Sequence, residues 1–180
     1  MSGRFLRAIS LTLILTATLS GVLCTQSQAG EPENQSGKSG GRIEIGGYLG
    51  FADFPDEASL YHFAAGAAVR FKIVGGLGFA PEFTYMYHSR QDRDLSFLPN
   101  LTWEFRRGKK VVPYVIGGLG FLQHRQTWDH FKWSSTTKFA EGGLGVKVFL
   151  NERIFVAPEM RIGWEPHIRA TATIGYVLIR

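Results

Sequence analysis

The stretch GLGFAPEFTYMY at residues 76–87 decides the fold class, because its large apolar side chains recur at every second position. One face of the stretch carries Leu77, Phe79, Pro81, Phe83, Tyr85 and Tyr87. The other face carries Gly78, Glu82, Thr84 and Met86. Successive side chains of a β-strand point to opposite faces, so this period of two predicts a strand with one wholly apolar face.

Seven further segments show the same period. The eight predicted strands cover residues 42–51, 61–71, 76–87, 95–105, 111–121, 140–150, 154–164 and 168–178. Each is close to the ~9 to 11 residues that a tilted strand needs to cross the hydrocarbon core of a membrane. Short connections are predicted after Phe71, Phe105 and Leu150. Longer connections are predicted at residues 52–60, 88–94 and 122–137, and a brief one at residues 165–167. Short turns at one end and generally longer loops at the other are typical of a transmembrane barrel.

The two faces of these strands differ in charge. The apolar face of every segment is free of charged residues, and the opposite face mixes glycine, alanine and threonine with a sparse set of charges. That set consists of Glu44, Arg70, Glu82, Glu104, Glu141, Lys147, Glu159, Arg161 and Arg169. A charge that faces lipid at mid-depth costs about 2 to 4 kcal/mol. We therefore predict an all-β, eight-stranded antiparallel up-and-down transmembrane β-barrel whose apolar face contacts lipid.

These nine charged residues are predicted to form a charge network in the lumen. An eight-stranded barrel has room only for side chains in its interior, so the four cations and five carboxylates should pair across a plugged lumen. Antiparallel pairing around the turn at Asn151 places Glu141 and Arg161 at similar depth. An inward ion pair between these two residues follows from that register.

Aromatic residues of the apolar face gather toward the strand ends. Near the predicted outer rim lie Phe51, Phe63, Tyr85, Tyr87 and Trp164, and near the inner rim lie Phe71, Trp103, Phe105 and Tyr176. Two such aromatic girdles around an aliphatic band match the two headgroup zones of a membrane.

The first 29 residues have the features of a secretory signal peptide. Arg4 and Arg7 precede an apolar run at residues 9–23, and Ser27-Gln28-Ala29 predicts cleavage after Ala29. The apolar run is shorter than the ~20 residues that a transmembrane helix needs. Residues 30–41, GEPENQSGKSGG, are polar and rich in glycine, which predicts a flexible linker before a barrel domain at residues 42–180.

Cysteine and charge content exclude several functional classes. Cys24 is the only cysteine and lies in the predicted signal peptide, so the mature chain has no thiol for a disulfide, a nucleophile or a metal site. Lipidation of Cys24 is a minor alternative, because Leu23 stands where a small residue is expected. Without Arg4 and Arg7 the formal charge falls from +5 to +3, which is too small to indicate nucleic-acid binding. No cofactor is expected.

The glycine-rich strands resemble a known family. Gly-Gly-Leu-Gly occurs at residues 75–78, 117–120 and 142–145, and Ala-Pro-Glu occurs at residues 80–82 and 157–159. With the signal peptide and the eight strands, these repeats resemble the outer-membrane β-barrel domain family, which includes OmpA-like, OmpX-like and OmpW-like barrels. The resemblance covers residues 42–180 and implies a monomer in the outer membrane of a Gram-negative bacterium, with both termini in the periplasm. Outer-membrane lipids, lipopolysaccharide and the β-barrel assembly machinery are the implied partners. Barrels of this family usually end in an aromatic residue, whereas this sequence ends in Tyr176-Val177-Leu178-Ile179-Arg180, so Tyr176 is the candidate for that role here.

The most enzyme-like feature is His88-Ser89 at the outer end of the third predicted strand. Some eight-stranded barrels that this chain resembles, lipid A deacylases of the PagL kind, carry a His/Ser pair near the outer rim. Adjacent strand residues point to opposite faces, so His88 and Ser89 should diverge, and no catalytic residue is predicted. The other histidines show no convincing ligand spacing; they are interpreted as dispersed rim residues, and no metal site is predicted. These histidines are His62, His124, His130 and His167.

The predicted outer loops mix cations with aromatic residues. The cations are Arg90, Arg93, Arg125, His130 and Lys132, and the aromatic residues are Trp128, Phe131 and Trp133. Such a mixture could bind the phosphates and acyl chains of lipopolysaccharide, and an ordinary solvated loop is the alternative.

Three functional classes remain open from the sequence. A structural or surface-interaction barrel needs only a closed, charged interior, which the pairing of charges favours. A small OmpW-like transporter or channel would need a less filled lumen with a lateral opening. A lipid A-modifying enzyme would need reactive residues that converge at the rim.

Overall fold

The computed structural model describes residues 41–54, 60–89, 92–105, 109–128, 131–164 and 167–179. These ranges form eight strands: β1 (Ile43–Phe54), β2 (Leu60–Val74), β3 (Leu77–Ser89), β4 (Asp92–Glu104), β5 (Val111–Trp128), β6 (Phe131–Phe149), β7 (Ile154–Gly163) and β8 (His167–Ile179). Within the same ranges no helix is long and apolar enough to cross a bilayer. The predicted signal peptide and, apart from Gly41, the predicted linker lie outside the described residues.

The strands close into a barrel in which spatial order follows chain order. Every strand pairs antiparallel with its neighbours along the chain, and β1 pairs with β8 to close the sheet. This seam runs from Ile43 opposite Ile179 to Asp53 opposite Ile168, with one irregularity after Ile43. The predicted fold, an eight-stranded antiparallel up-and-down barrel, is confirmed.

Two predicted loops are wrong, because the strands continue through them. β5 and β6 remain paired as far as Trp128 opposite Phe131, so most of residues 122–137 form a hairpin rather than a long loop. β3 reaches Ser89 and β4 begins at Asp92, which reduces the predicted loop at residues 88–94. Residues 131–134 of β6 are exposed on both faces. Where both faces of a strand meet water, side chains no longer alternate between apolar and polar, although the backbone pairing continues. The strands predicted from that alternation therefore ended too early. We refer to the end of the barrel that carries this hairpin as the outer end.

A tight turn joins β2 to β3 at the opposite, inner end. β2 ends at Val74 and β3 begins at Leu77, so only Gly75 and Gly76 connect them. Gly75 has a φ of 58°, in the left-handed region that glycine adopts without steric cost. The prediction of a four-residue connection here was therefore two residues too long.

The apolar faces of the strands point away from the barrel. Leu49, Leu119, Leu144 and Ile174 are each more than half exposed, although such residues would form the core of a soluble protein. The interior contains polar groups and two apolar clusters. The outer cluster consists of Ala52, Phe54, Ala64, Met86, Leu98, Leu122 and Phe139. The inner cluster consists of Tyr114, Ile116, Phe155, Ala157 and Val177, with Phe149 packed against it.

Candidate functional site inside the barrel

All nine charged residues that the sequence assigned to the lumen are buried inside the barrel. They are Glu44, Arg70, Glu82, Glu104, Glu141, Lys147, Glu159, Arg161 and Arg169, and we refer to them as the lumen network. Each occupies an inward position of its strand, because inward and outward side chains alternate along every strand of a barrel. The strands thus bring together residues that are far apart in the chain.

The centre of the lumen network is a cluster of two arginines and two glutamates. Arg161 and Arg169 lie directly opposite each other on β7 and β8. Glu82 accepts hydrogen bonds from both guanidinium groups, at 2.5 Å from Arg161 Nη2 and 2.6 Å from Arg169 Nη2. Glu141 also bridges them, at 3.2 Å from Arg161 Nη1 and 2.7 Å from Arg169 Nη2. The predicted ion pair between Glu141 and Arg161 is therefore present, and the two carboxylates offset the repulsion between the two arginines.

Hydroxyl groups complete the hydrogen bonding of this central cluster. Tyr48 Oη donates to Glu82 Oε1 at 2.9 Å and lies 2.5 Å from Thr84 Oγ1. Arg169 Nη1 donates to Thr84 Oγ1 at 2.8 Å. The sequence pattern placed Thr84 on the polar face of its strand, but neither Thr84 nor Tyr48 was assigned to the lumen network. The alternation of side chains along each strand, which turns both residues inward, was the signal that could have identified them.

Arg70, Tyr114 and Glu159 link the central cluster to the inner half of the barrel. Glu159 accepts from Arg161 Nε at 2.6 Å and from Tyr114 Oη at 2.6 Å. Arg70 Nη2 lies 3.3 Å from Glu159 Oε2, and its guanidinium lies 4.7 Å from the centre of the Tyr114 ring. This cation–π contact and the hydrogen bonds hold Tyr114 in one position. Sequence reasoning also missed Tyr114, although its position between inward residues of β5 was visible.

Lys147 organises the inner end of the lumen network. Its ammonium donates to Glu44 Oε2 at 2.6 Å and also bonds Glu104. Two cations outside the predicted set extend this group, because Arg42 Nε lies 2.9 Å from Glu44 and Lys72 Nζ lies 2.7 Å from Glu104. Each carboxylate at this end is thus shared between two cations.

Two of the four histidines that were interpreted as dispersed rim residues are buried. His62 and His167 are each only 1% exposed and lie inside the barrel. His167 Nε2 is 2.7 Å from Glu141 Oε1, which joins this histidine to the lumen network. His88 is exposed and its Nδ1 lies 2.8 Å from the carbonyl oxygen of Tyr61. The Ser89 side chain and His130 lie outside the described residues, so the geometry of the His88-Ser89 pair stays untested.

The aromatic residues assigned to the two girdles all lie on the outward face. Exposed residues of the outer set are Phe51, Phe63, Tyr85, Tyr87 and Trp164, and those of the inner set are Phe71, Trp103, Phe105 and Tyr176. Trp164 is 84% exposed. A shallow outward hollow of about 730 Å³ lies beside Trp164 and is lined largely by glycine and aliphatic residues. The outward surface therefore offers aromatic and aliphatic groups around the whole wall.

A match to a known family decides the identity of this barrel. Residues 15–173 match the family described as outer membrane protein beta-barrel domain. The chain belongs to this family. It is a barrel of the bacterial outer membrane, whose aliphatic band contacts lipid and whose lumen network is enclosed by the strands. No curated protein sequence matches it.

Several solved structures share the fold of this outer-membrane barrel. Neisserial surface protein A is similar with a TM-score of 0.64 at 14% identity, over 78% of this chain and 99% of that protein. The N-terminal β-barrel domain of Pseudomonas aeruginosa OprF is similar with a TM-score of 0.60 at 13% identity, over 77% and 100%. Ail, the attachment invasion locus protein of Yersinia pestis, is similar with a TM-score of 0.55 at 13% identity, over 77% and 97%. At these identities the likeness establishes the fold.

The outer end of the barrel presents three of the four residues considered for lipopolysaccharide contact. Arg93, Arg125 and Lys132 are exposed, and Arg90 lies outside the described residues. Arg93 of β4 and Arg125 of β5 lie directly opposite each other across the sheet. Phe131 and Trp133 are also exposed on the outer part of the hairpin. Cations and aromatic groups thus share this surface.

Proposed function

We propose that this outer-membrane barrel has a plugged, charged lumen and a structural or surface-interaction role in the cell envelope, and that it is not a channel. The observation that carries the proposal is the set of ion pairs that cross the lumen between strands that are not neighbours. Arg161 of β7 bonds Glu82 of β3, and Lys147 of β6 bonds Glu44 of β1. Arg70 of β2 likewise pairs with Glu159 of β7.

Such crossing pairs oppose the passage of ions or solutes. Each buried charge here has at least one partner of opposite sign, and removing one member of a buried pair costs about 3 to 5 kcal/mol. A solute that entered the lumen would have to separate these pairs. The outer apolar cluster lies next to the network and adds Leu98, Leu122 and Phe139 to the groups that fill the interior. These features favour a closed barrel over an OmpW-like transporter.

Conductance in planar lipid bilayers tests the closed lumen. We expect the folded, purified barrel to give no discrete conductance steps. Its slower migration after heating on a detergent gel would show beforehand that the sample contains folded barrel. Reproducible single-channel steps from such a sample would contradict the closed lumen and favour the transporter.

A surface-interaction role is favoured by a second observation, the pair of arginines at the outer end. Arg93 and Arg125 lie opposite each other across the sheet, so their guanidinium groups are placed to contact one phosphate together. The exposed rings of Phe131 and Trp133 suit the acyl region beside such phosphates. Lipopolysaccharide carries both groups. A surface protein of Neisseria and an attachment protein of Yersinia pestis have barrels of this fold, so the fold suits such a role.

Paired substitutions test lipopolysaccharide binding. Arg125→Ala with Lys132→Ala should reduce the lipopolysaccharide that copurifies with the barrel. The matched control is Lys109→Ala with Lys110→Ala, which removes two exposed cations at the inner end. It should leave the amount of copurifying lipopolysaccharide unchanged. Equal lipopolysaccharide content in both double variants would contradict binding at the hairpin.

We further propose that the barrel is not an enzyme. Among the described side chains, His88 is engaged with the Tyr61 carbonyl oxygen, and no nucleophile is placed within hydrogen-bond reach of it. Mass analysis of lipid A from cells that overproduce the barrel should show no loss of acyl chains. Deacylated lipid A that depends on His88 would overturn this proposal.

A further inference from the structure

A histidine and two aspartates converge at the outer end of the barrel, apart from the lumen network. His62 lies on β2, and Asp92 and Asp94 lie on β4. One ligand atom from each residue lies within 4.8 Å of the others. His62 is 1% exposed and Asp94 is 2% exposed, while Asp92 is half-buried. Sequence reasoning missed this group because it placed both aspartates in a loop and His62 on the rim.

The separations within this group suit ligands of one metal ion. His62 Nε2 lies 3.5 Å from Asp92 Oδ2 and 3.7 Å from Asp94 Oδ2. Both distances exceed the usual length of an N–H···O hydrogen bond. A tetrahedral zinc site with bonds of about 2.0 to 2.2 Å has neighbouring ligand atoms roughly 3.3 to 3.6 Å apart. The two separations from His62 Nε2 are thus close to those of ligands on one zinc ion, and all three ligand atoms lie within 4.8 Å of one another.

The charges of the group also favour a dication. Two aspartate carboxylates with ligand oxygens within 4.8 Å of each other repel when both are ionised, and burial strengthens the repulsion. The Phe54 ring packs edge-on against His62, with ring centres 5.0 Å apart, and keeps this side of the group apolar. One divalent cation would balance both carboxylates at once.

His124 is placed to orient one of the aspartates. Its Nδ1 donates to Asp94 Oδ1 at 3.0 Å, which leaves Asp94 Oδ2 as the atom directed at His62. A hydrogen bond to the second oxygen of a metal-binding carboxylate is the common way in which proteins fix such a ligand. His124 would therefore act as a positioning residue rather than as a ligand.

We propose that His62 Nε2, Asp92 Oδ2 and Asp94 Oδ2 bind a zinc ion, with water in the remaining position. An imidazole ligand favours zinc over magnesium and calcium, which prefer oxygen ligands. The ion would fasten β2 to β4 across the intervening β3 at the outer end of the barrel. This site is independent of the lumen network and of lipopolysaccharide binding.

Zinc titration of the folded, purified barrel tests the site, with a chromophoric chelator as competitor. We expect one zinc ion per chain, and an excess of magnesium should not displace it. Asp92→Asn and Asp94→Asn should each lower the zinc affinity by at least tenfold. His124→Ala should lower it by about 10 to 100-fold, as is typical when a group that orients a ligand is removed. Asp53→Asn is the matched control, because Asp53 is an aspartate near the same end of the barrel that is not part of the group, and it should have no effect.

Two outcomes would overturn the zinc site. One is the absence of stoichiometric binding to the wild-type barrel. The other is undiminished affinity in both asparagine variants, which would place the zinc elsewhere. If either variant fails to show the gel migration of a folded barrel, X-ray absorption of the zinc-loaded wild type decides. An imidazole nitrogen with oxygen ligands supports the site, and a shell of oxygen atoms alone contradicts it.

Discussion

At the scale of single residues, Arg161 shows how strongly the interior depends on complete pairing. Its guanidinium donates to Glu82, Glu141 and Glu159 at once. Arg161→Met keeps much of the side-chain volume but leaves buried carboxylates without this partner. We expect the free energy of unfolding to fall by about 3 to 5 kcal/mol, because uncompensated buried charges are costly. Urea unfolding of the barrel in lipid vesicles measures this change.

A matched substitution separates this effect from a general loss of positive charge. Lys109→Met removes an exposed cation near the inner end and should leave the urea midpoint unchanged. Equal shifts in the two variants would show that net charge, and not pairing inside the barrel, sets the stability.

Gly145 gives a second prediction, which concerns packing. A Cβ atom added at Gly145 would lie 2.5 Å from the Cζ and Oη atoms of Tyr114. Tyr114 cannot easily move aside, because Arg70 and Glu159 hold its hydroxyl group. Gly145→Ala should therefore destabilise the barrel by about 1 to 3 kcal/mol, the usual cost of overpacking.

Gly142 on the same strand provides the control for Gly145. No heavy atom outside its immediate chain neighbours lies within 4 Å of a Cβ atom added there. Gly142→Ala should therefore leave urea unfolding nearly unchanged or slightly stabilise the barrel. If Gly142→Ala lowered the stability as much as Gly145→Ala, the packing explanation would be refuted.

At the scale of elements, the period of two predicted all eight strands but misplaced several of their ends. β7 begins at Ile154 as predicted, since lipid on one face and the lumen on the other maintain the alternation up to the turn. β6 begins nine residues before its predicted start at Ala140. Its outer residues 131–134 are exposed to water on both faces of the strand. Only the backbone hydrogen bonds of the hairpin define the strand there, and the periodicity of side chains in the sequence does not reveal these bonds.

The same argument explains which parts of the interior were predictable. Glu82 and Arg161 stood out because a charge within an alternating strand must face away from lipid. Leu98 and Phe139 did not, because an apolar side chain is compatible with either face of such a strand. The pairing partners also depend on the stagger of the whole barrel, which no single strand specifies.

The outer part of the β5–β6 hairpin should be dispensable for folding. Gln126 and Trp133 lie opposite each other, so an Asn-Gly turn in place of residues 127–132 preserves their register. We expect the shortened barrel to fold and to keep the urea midpoint of the wild type, because Thr127, Phe131 and Lys132 are exposed. Gel migration before and after heating measures folding. A shortened chain that stays unfolded would show that the hairpin tip is required for assembly.

At the scale of the whole molecule, the ion pairs inside and the cations outside should respond differently to salt. Mobile ions screen exposed charges, and the screening length falls from about 10 Å at 0.1 M salt to about 3 Å at 1 M. The lumen network is buried behind the barrel wall, so raising sodium chloride across this range should leave the urea midpoint unchanged. Lipopolysaccharide binding through exposed Arg125 and Lys132 should weaken markedly over the same range. Both quantities are measured on one preparation, by unfolding and by retention of labelled lipopolysaccharide. A midpoint that falls together with lipopolysaccharide retention would mean that salt reaches the lumen pairs, and it would contradict a plugged interior even if bilayer recordings showed no conductance.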